Sequence, residues 1–226
     1  ALRLGGSTDP LNASAQQRQR LKRMDALQQD LATVRRALDP DALLEILARY
    51  TRALRESPAI NQRSGVSARF AIAGAETVAA AALHRAVVRG ETEAVARLVD
   101  LESAVDVLGG KIEFEAGEEG REDAILAHLL RTATADTARA HFRGIDLGPL
   151  VEALDGQVTV ITGEQVTAAE FIEGLPEAGE VYEEIAERFD ADTEGRRASA
   201  IELALEGLYL ARRISKDSDG AETIYG

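Results

Sequence analysis

The fold is decided by residues 39–58, which read DPDALLEILARYTRALRESP. The first three of these residues favour a helix start. Asp39 can cap free amides, Pro40 has a φ suited to the first helical position, and the carboxylate of Asp41 faces the positive end of the helix dipole. The apolar side chains that follow share one helix face and are Leu43, Leu47, Tyr50 and Leu54. The helix is predicted to end at Glu56, since the residue before Pro58 is driven out of the helical region.

Upstream of this helix, residues 15–38 carry a second amphipathic pattern. Its apolar positions are spaced 3, 4, 3 and 4 and are Met24, Leu27, Leu31, Val34 and Leu38. They predict one packing stripe on a helix. Only about two heptads are present, fewer than a coiled coil needs, so an intramolecular helix hairpin is favoured. Residues 1–14 contain two glycines and a proline without apolar periodicity and are interpreted as an entry segment.

Downstream, helix remains the dominant prediction. Apolar residues at a spacing of three to four predict helices at 70–89, 92–108, 122–142, 165–174, 177–189 and 196–215. Alternating or β-branched patterns predict strands only at 111–115 and 157–162. We therefore expect a mainly α fold, a helical bundle with at most one small β element and a helical C-terminal extension. The predicted units are 1–40 (entry segment and amphipathic helix), 41–143 (helical domain) and 144–226 (extension).

Composition and charge limit the classes of partner. Lysine and arginine total 26 against 39 acidic residues, which gives a formal charge of −13. Such a field repels nucleic acid and anionic lipid, so neither nucleic acid nor a membrane is expected as a partner. No apolar run approaches the roughly 18 residues of a membrane span. The chain has no cysteine, which excludes a thiolate metal site and a cysteine nucleophile, and the predicted location is cytoplasmic.

The sequence contains no clear catalytic motif. No G-x-x-x-x-G-K-[ST] string occurs; the nearest approach is Gly109-Gly110-Lys111, which Ile112 follows where a hydroxyl is needed, and we interpret it as a helix C-cap. The three histidines, at 84, 128 and 141, lack the spacing of a metal-binding pair. No catalytic residue and no metal ligand is therefore predicted in this chain.

The most informative segment for function is the loop 61–70, which reads NQRSGVSARF and runs into an alanine-rich helix. Gly65 permits a backbone turn, and Ser64 or Ser67 can cap the helix. Arg69 then falls in the first helical turn, where the helix dipole disfavours a cation. It calls for an anionic partner, either a carboxylate in the same fold or a phosphate from elsewhere.

The string R-S-G-V-S-x-R at residues 63–69 resembles the sensor-2 segment of AAA+ ATPases related to magnesium chelatase and MoxR. The resemblance implies that Arg69 reaches the terminal phosphate of ATP from a helical lid. Gly65 and Ser67 match the turn and the cap, and Arg63 is a weaker candidate for the same phosphate or for a subunit contact. The resemblance covers roughly residues 41–226 and is most specific around 57–70.

The resemblance implies a C-terminal lid and extension that couples the ATP state to ring assembly and to remodelling or metal insertion in a client. ATP and Mg²⁺ would be held by the parent ATPase and not by this chain alone, because the segments of Walker A, Walker B, sensor 1 and the arginine finger are missing. Implied partners are the AAA+ core domain, neighbouring ring subunits and a protein with a von Willebrand A domain.

An alternative function remains open. The chain could be a stand-alone acidic helical module for interaction or scaffolding that binds no nucleotide. This role is favoured by the first forty residues, which are predicted to form their own amphipathic helix. Whether it takes part in an enzyme is therefore undecided at this point. The chain begins at Ala1 and not at methionine, so we expect a fragment or a trimmed chain.

Overall fold

The computed structural model describes residues 41–61, 66, 68–155, 158–219 and 222–226. Its helices are α1 Ala42–Glu56, α2 Ala68–Arg89, α3 Leu98–Gly109, α4 Glu122–His141, α5 Gly148–Ala153, α6 Ala168–Glu173, α7 Val181–Arg188 and α8 Glu194–Leu210. Its strands are β1 Val160–Gly163, β2 Lys216–Asp219 and β3 Glu222–Tyr225. The predicted fold class, mainly α with one small β element, is confirmed. The helix predicted at 15–38 lies outside the described residues.

Helix α1 forms where its apolar pattern predicts it, and the stripe predicted from the sequence is buried. It packs against α2 and α4. The contact between α1, α2 and α3 centres on Gly74, where an added Cβ would lie 3.4 Å from Leu47 Cδ2 and 3.1 Å from Leu108 Cδ1. The absence of a side chain at this position therefore lets three helices approach one another closely.

Helix α4 connects the two parts of the chain. It packs on α1 along one side and on α8 along the other. At the crossing with α8, a Cβ added to Gly207 would lie only 2.8 Å from Ala138 Cβ. The buried apolar residues form one cluster that extends from Ala42 to Tyr225. The core is thus continuous across residue 143, where the sequence predicts a unit boundary.

The sheet has three antiparallel strands in the order β1-β3-β2. Tyr225 of the central strand pairs with Val160 on one side and Lys216 on the other. The strand predicted at 157–162 corresponds to β1. The strand predicted at 111–115 is wrong: Phe114 makes only an isolated antiparallel bridge with Ile60, with one backbone hydrogen bond on each side of it.

Two helix boundaries differ from the prediction by five residues or more. Helix α3 begins at Leu98 and not at 92, because residues 91–97 are not helical and two of their carboxylates bind the starts of distant helices. Glu91 Oε1 accepts a hydrogen bond from Ala168 N at 2.8 Å, and Glu93 Oε1 accepts one from Gly195 N at 3.1 Å. Helix α8 ends at Leu210, five residues before its predicted end, and residues 211–215 form a turn that leads into β2.

Candidate functional site

Arg69 is the one predicted site residue that the structure describes. Arg63, Gly65 and Ser67 lie outside the described residues. Arg69 is the second residue of α2, its side chain is exposed, and no acidic residue occupies the first turn of this helix. It therefore stands at the positive end of a 22-residue helix, as the sequence predicts.

The charge of Arg69 has no partner within the described part of the chain, where its guanidinium forms neither an ion pair nor a hydrogen bond. Other exposed arginines of these residues do have partners; Arg52 Nε, for example, lies 2.8 Å from Glu56 Oε1. Of the two anionic partners that the sequence leaves open, the described residues supply no carboxylate. A guanidinium beside free helix amides is suited to bind an anion such as phosphate.

The outward face of α2 carries several exposed apolar side chains next to the polar side chains of Glu76 and His84. Large apolar side chains with a substantial exposed fraction occur at Ile72 (58%), Leu83 (44%), Val87 (74%) and Val88 (60%). Elsewhere in the described residues, large exposed apolar side chains occur only at Val158 and Ile161. A concentration of this kind on one helix is typical of a docking surface. We call Ile72, Leu83, Val87 and Val88 the α2 stripe.

The same helix is apolar enough to raise the question of a membrane. Residues Arg69–Arg89 form the one described helix that could cross a bilayer by length and composition, and a third of the stretch is buried inside the protein. The buried face packs on α1 and α3, and Arg85 on that face is held in an ionic network. These contacts are those of a helix in a folded bundle.

Arg85 anchors α2 to α3 from within. Its Nη1 lies 2.7 Å from Glu91 Oε2, and its Nη2 lies 2.9 Å from Asp100 Oδ2. Nη2 also donates to the carbonyl oxygen of Val95 at 2.7 Å. Burial alone would lower the pKa of Arg85, but the hydrogen bond and charge of Asp100 raise it above its usual value. The guanidinium is therefore held charged, and α2 is held in a fixed position relative to α3.

A second buried arginine joins α3 to the C-terminal part of the chain. Arg97 is fully buried; its Nε donates to Glu202 Oε1 at 3.0 Å, and its Nη2 donates to Thr162 Oγ1 at 2.7 Å. Thr162 in turn donates to Glu202. The second carboxylate oxygen, Oε2 of Glu202, is buried without a partner among the described residues. Three elements, α3, β1 and α8, thus meet in one polar cluster.

Sequence reasoning missed both buried arginines. Charged residues in a helical pattern are usually assigned to the solvent face, and Arg97 lies in a segment that was expected to be helical. One signal was available for Arg85, which shares the buried face of α2 with Val78 and Ala82 at spacings of four and three. An arginine in register with apolar residues requires a buried carboxylate, and only the fold identifies Asp100 as that partner.

A cavity of about 270 Å³ lies beside these networks and is lined in part by Arg85, Glu91, Arg97, Thr167 and Gly195. The charged groups of Arg85, Glu91 and Arg97 bind one another or backbone atoms, so their role is to hold the fold together. Among the described residues no group of three His, Asp or Glu side chains could hold a metal ion. His141 instead lies 2.7 Å from Glu45 Oε2 and stacks on Phe189.

The candidate site is therefore the exposed start of α2, with Arg69 at its tip, the α2 stripe along its outer face and Arg85 fixing its inner face. No protein-family model matches the chain, and no curated protein or solved structure is significantly similar to it.

Proposed function

We propose that this chain is the lid and C-terminal extension of a ring-forming AAA+ ATPase of the magnesium-chelatase and MoxR kind. It would couple the ATP state to ring assembly and to remodelling or metal insertion in a client. The observation that supports this function best is Arg69, exposed and without a partner in the described part of the chain, at the start of the helix that carries the α2 stripe.

The chemistry of Arg69 suits a sensor of phosphate. A guanidinium binds phosphate oxygens with two parallel hydrogen bonds, and it keeps its charge at any physiological pH. Its attraction is strongest when the terminal phosphate is present and falls when hydrolysis removes that charge. ATP and Mg²⁺ would be held by the core of the parent ATPase, and Arg69 would report which nucleotide is there.

The α2 stripe supplies a docking surface for that core. Apolar side chains exposed in this chain would be covered when the helix rests on the domain that holds ATP. The network of Arg85 with Asp100 and Glu91 ties α2 to α3. Movement of α2 on loss of phosphate would therefore be passed to the rest of the lid and from there to a neighbouring subunit. A protein with a von Willebrand A domain is the client partner we propose.

The coding sequence upstream of Ala1 gives the first test. It should encode, in frame, a G-x-x-x-x-G-K-[ST] loop followed by the acidic segment that binds Mg²⁺ in such enzymes. A stop codon followed by a start codon directly before Ala1 would refute the proposal and would favour the stand-alone scaffold module.

The second test substitutes Arg69→Ala in the full-length protein. We expect ATP hydrolysis to fall by about 10²-fold, as for other preorganised donors to a reacting anion. Affinity for ATP should fall while affinity for ADP stays constant, because the lost contact is with the terminal phosphate. Circular dichroism should remain unchanged.

Arg52→Ala is the matched control, because Arg52 is an exposed arginine on α1 that pairs with Glu56 at 2.8 Å. It should leave both affinities unaltered. Wild-type hydrolysis in Arg69→Ala, or equal loss of ATP and ADP binding, would remove Arg69 from the proposed role.

A further inference from the structure

A groove of about 510 Å³ lies between the C-terminal ends of α4 and α8. It opens next to the close crossing of the two helices at Gly207 and Ala138. Its apolar lining consists mainly of Phe142, Ile145, Leu147, Leu208 and Leu210. The groove is thus a surface concavity with an apolar floor.

Three arginines line this groove, and we call Arg139, Arg143 and Arg213 the basic rim. Arg139 pairs with Asp136, but the side chains of Arg143 and Arg213 are exposed and form no ion pair within the described residues. The one acidic lining residue is Asp146, whose Oδ1 accepts a hydrogen bond from Gly148 N at 2.9 Å. In a chain with a net charge of −13, this is a local positive surface.

The backbone beside the rim is in a conformation that side chains disfavour. Arg212 has φ 59°, in the left-handed region where glycine is the usual residue after a helix. Two hydrogen bonds hold this turn: Arg212 N donates to Tyr209 O at 2.8 Å, and Arg213 N donates to Leu208 O at 2.9 Å. The turn fixes the direction in which Arg213 leaves α8, and a further cation occupies the glycine position.

The complementary surface lies at the opposite end of the same helix. Residues 113–122 read EFEAGEEGRE and lead directly into α4; we call them the acidic loop. Five of its ten residues are glutamates, and one is an arginine. Helix α4 has 20 residues and is therefore about 30 Å long. The acidic loop and the basic rim stand at the two ends of this rod, so they cannot meet within one chain.

We propose that these two surfaces bind each other between copies of this chain, with the acidic loop of one copy seated at the basic rim of the next. Glu113 and Glu115 are exposed and face no ion-pair partner among the described residues, so they are available to Arg143 and Arg213 of a second copy. Two different surfaces meet, so the contact is head-to-tail, and a pair of copies keeps one free acidic loop and one free basic rim. Repetition gives a closed ring or a filament.

The contact does not depend on nucleotide or on the function proposed above. Its charged groups lie at the surface, so it should weaken as salt screens them over about 10 Å at 0.1 M ionic strength. Opposite charges at such a contact chiefly determine which surfaces pair.

The test measures self-association of the 226-residue chain by sedimentation velocity without nucleotide at low salt. The wild type should show concentration-dependent assembly that weakens as NaCl is added. Arg143→Glu with Arg213→Glu should raise the dissociation constant at least about tenfold, and Glu113→Lys with Glu115→Lys should do the same. Mixing the two reversed variants should restore assembly, because each reversed surface then meets its complement.

The matched control is Arg52→Glu with Arg55→Glu, which changes the charge equally on exposed positions of α1 and should leave assembly as in the wild type. Arg143→Gln with Arg213→Gln replaces the first pair if circular dichroism shows it unfolded. A wild type that stays monomeric at every concentration, reversed variants that assemble normally, or a mixture that fails to assemble would each overturn the proposal.

Discussion

Arg97 and Glu202 are separated by 105 positions in the chain, yet Arg97 Nε lies 3.0 Å from Glu202 Oε1. Arg97 is fully buried and Glu202 is 2% exposed. Water cannot replace either partner at such a site, so each charge depends on the other. The pair joins the start of α3 to the middle of α8, and so ties together two distant parts of the chain.

Removing one partner should cost more than removing both. Arg97→Met leaves Glu202 as a buried, unpaired carboxylate and should lower the free energy of unfolding by about 3–5 kcal/mol. Arg97→Met combined with Glu202→Leu should recover most of that loss, because no buried charge remains. Urea unfolding followed by circular dichroism measures both. Arg52→Met, which breaks an exposed pair, is the control and should show no change; a double variant no more stable than Arg97→Met would contradict the expectation.

Acid should weaken the contact of Glu45 with Arg49 and His141. Burial alone would raise the pKa of Glu45, but hydrogen bonds from Arg49 and His141 outweigh it and lower the pKa. A carboxylate whose folded pKa is lowered adds stability above its unfolded pKa, and that stability is lost as pH falls through the folded pKa. The contribution should therefore be complete at pH 7, begin to fall near the ordinary glutamate value of about 4.5, and be lost once the pH is below the lowered pKa of the folded state.

Glu45→Gln measures this contribution. The variant should be less stable than the wild type at pH 7 by less than about 1 kcal/mol, because the side chain is partly exposed, and the two should converge by about pH 3. Glu187→Gln, an exposed carboxylate on α7, is the control. A difference between Glu45→Gln and the wild type that stays constant from pH 7 to pH 3 would show that the charge of Glu45 plays no part.

The close crossing of α4 and α8 should not tolerate a methyl group at Gly207. Alanine favours helix by about 1 kcal/mol, but its Cβ would lie 2.8 Å from Ala138 Cβ, closer than real Cβ contacts allow. Overpacking should dominate, and we expect Gly207→Ala to lower stability by about 1–2 kcal/mol. Ala138→Gly in the same chain should offset the clash in a double-mutant cycle. A stabilised Gly207→Ala would mean that the helices separate easily at this point.

A charge placed on the α2 stripe should affect docking without affecting folding. Val87→Asp places a charge on a side chain that is 74% exposed, so stability of this chain should change by no more than about 0.5 kcal/mol. In the full-length protein the same substitution should reduce ATP hydrolysis, since the charge opposes contact with the core. Val158→Asp, which is also exposed, serves as the control. Unchanged hydrolysis in Val87→Asp would remove the stripe from the proposed docking surface.

Local patterns were sufficient for most helices. The apolar spacing in α1 and the Gly109-Gly110 end of α3 are properties of neighbouring residues, and both are found where the sequence predicts them. The sheet was only partly predictable. Strands β2 and β3 are four residues each: β2 reads KDSD and has no β-branched residue, and β3 reads ETIY, which is too short to be recognised alone. The sheet forms because β3 pairs with β1, more than fifty residues earlier, and with β2 on its other side.

The candidate site, too, was only partly predictable from the sequence. The position of Arg69 in the first turn of a helix follows from a loop and a cap signal that lie within ten residues. The ion pairs of Arg85 and Arg97 depend on carboxylates from other segments of the chain. A single sequence does not show which of these segments lie close together in space. For that reason Arg69 could be identified beforehand, and the network that holds its helix in place could not.

The caps supplied by Glu91 and Glu93 have a consequence for how the molecule comes apart. Amides in the first turns of α6 and α8 donate hydrogen bonds to these carboxylates, which lie about 75 to 100 residues earlier in the chain, so neither helix start is complete until α2 and α3 have formed around the segment that carries them. Opening of either part should expose unsatisfied amides in the other. Thermal unfolding should accordingly follow a single cooperative transition, and hydrogen exchange should show α3 and α8 protected to the same extent.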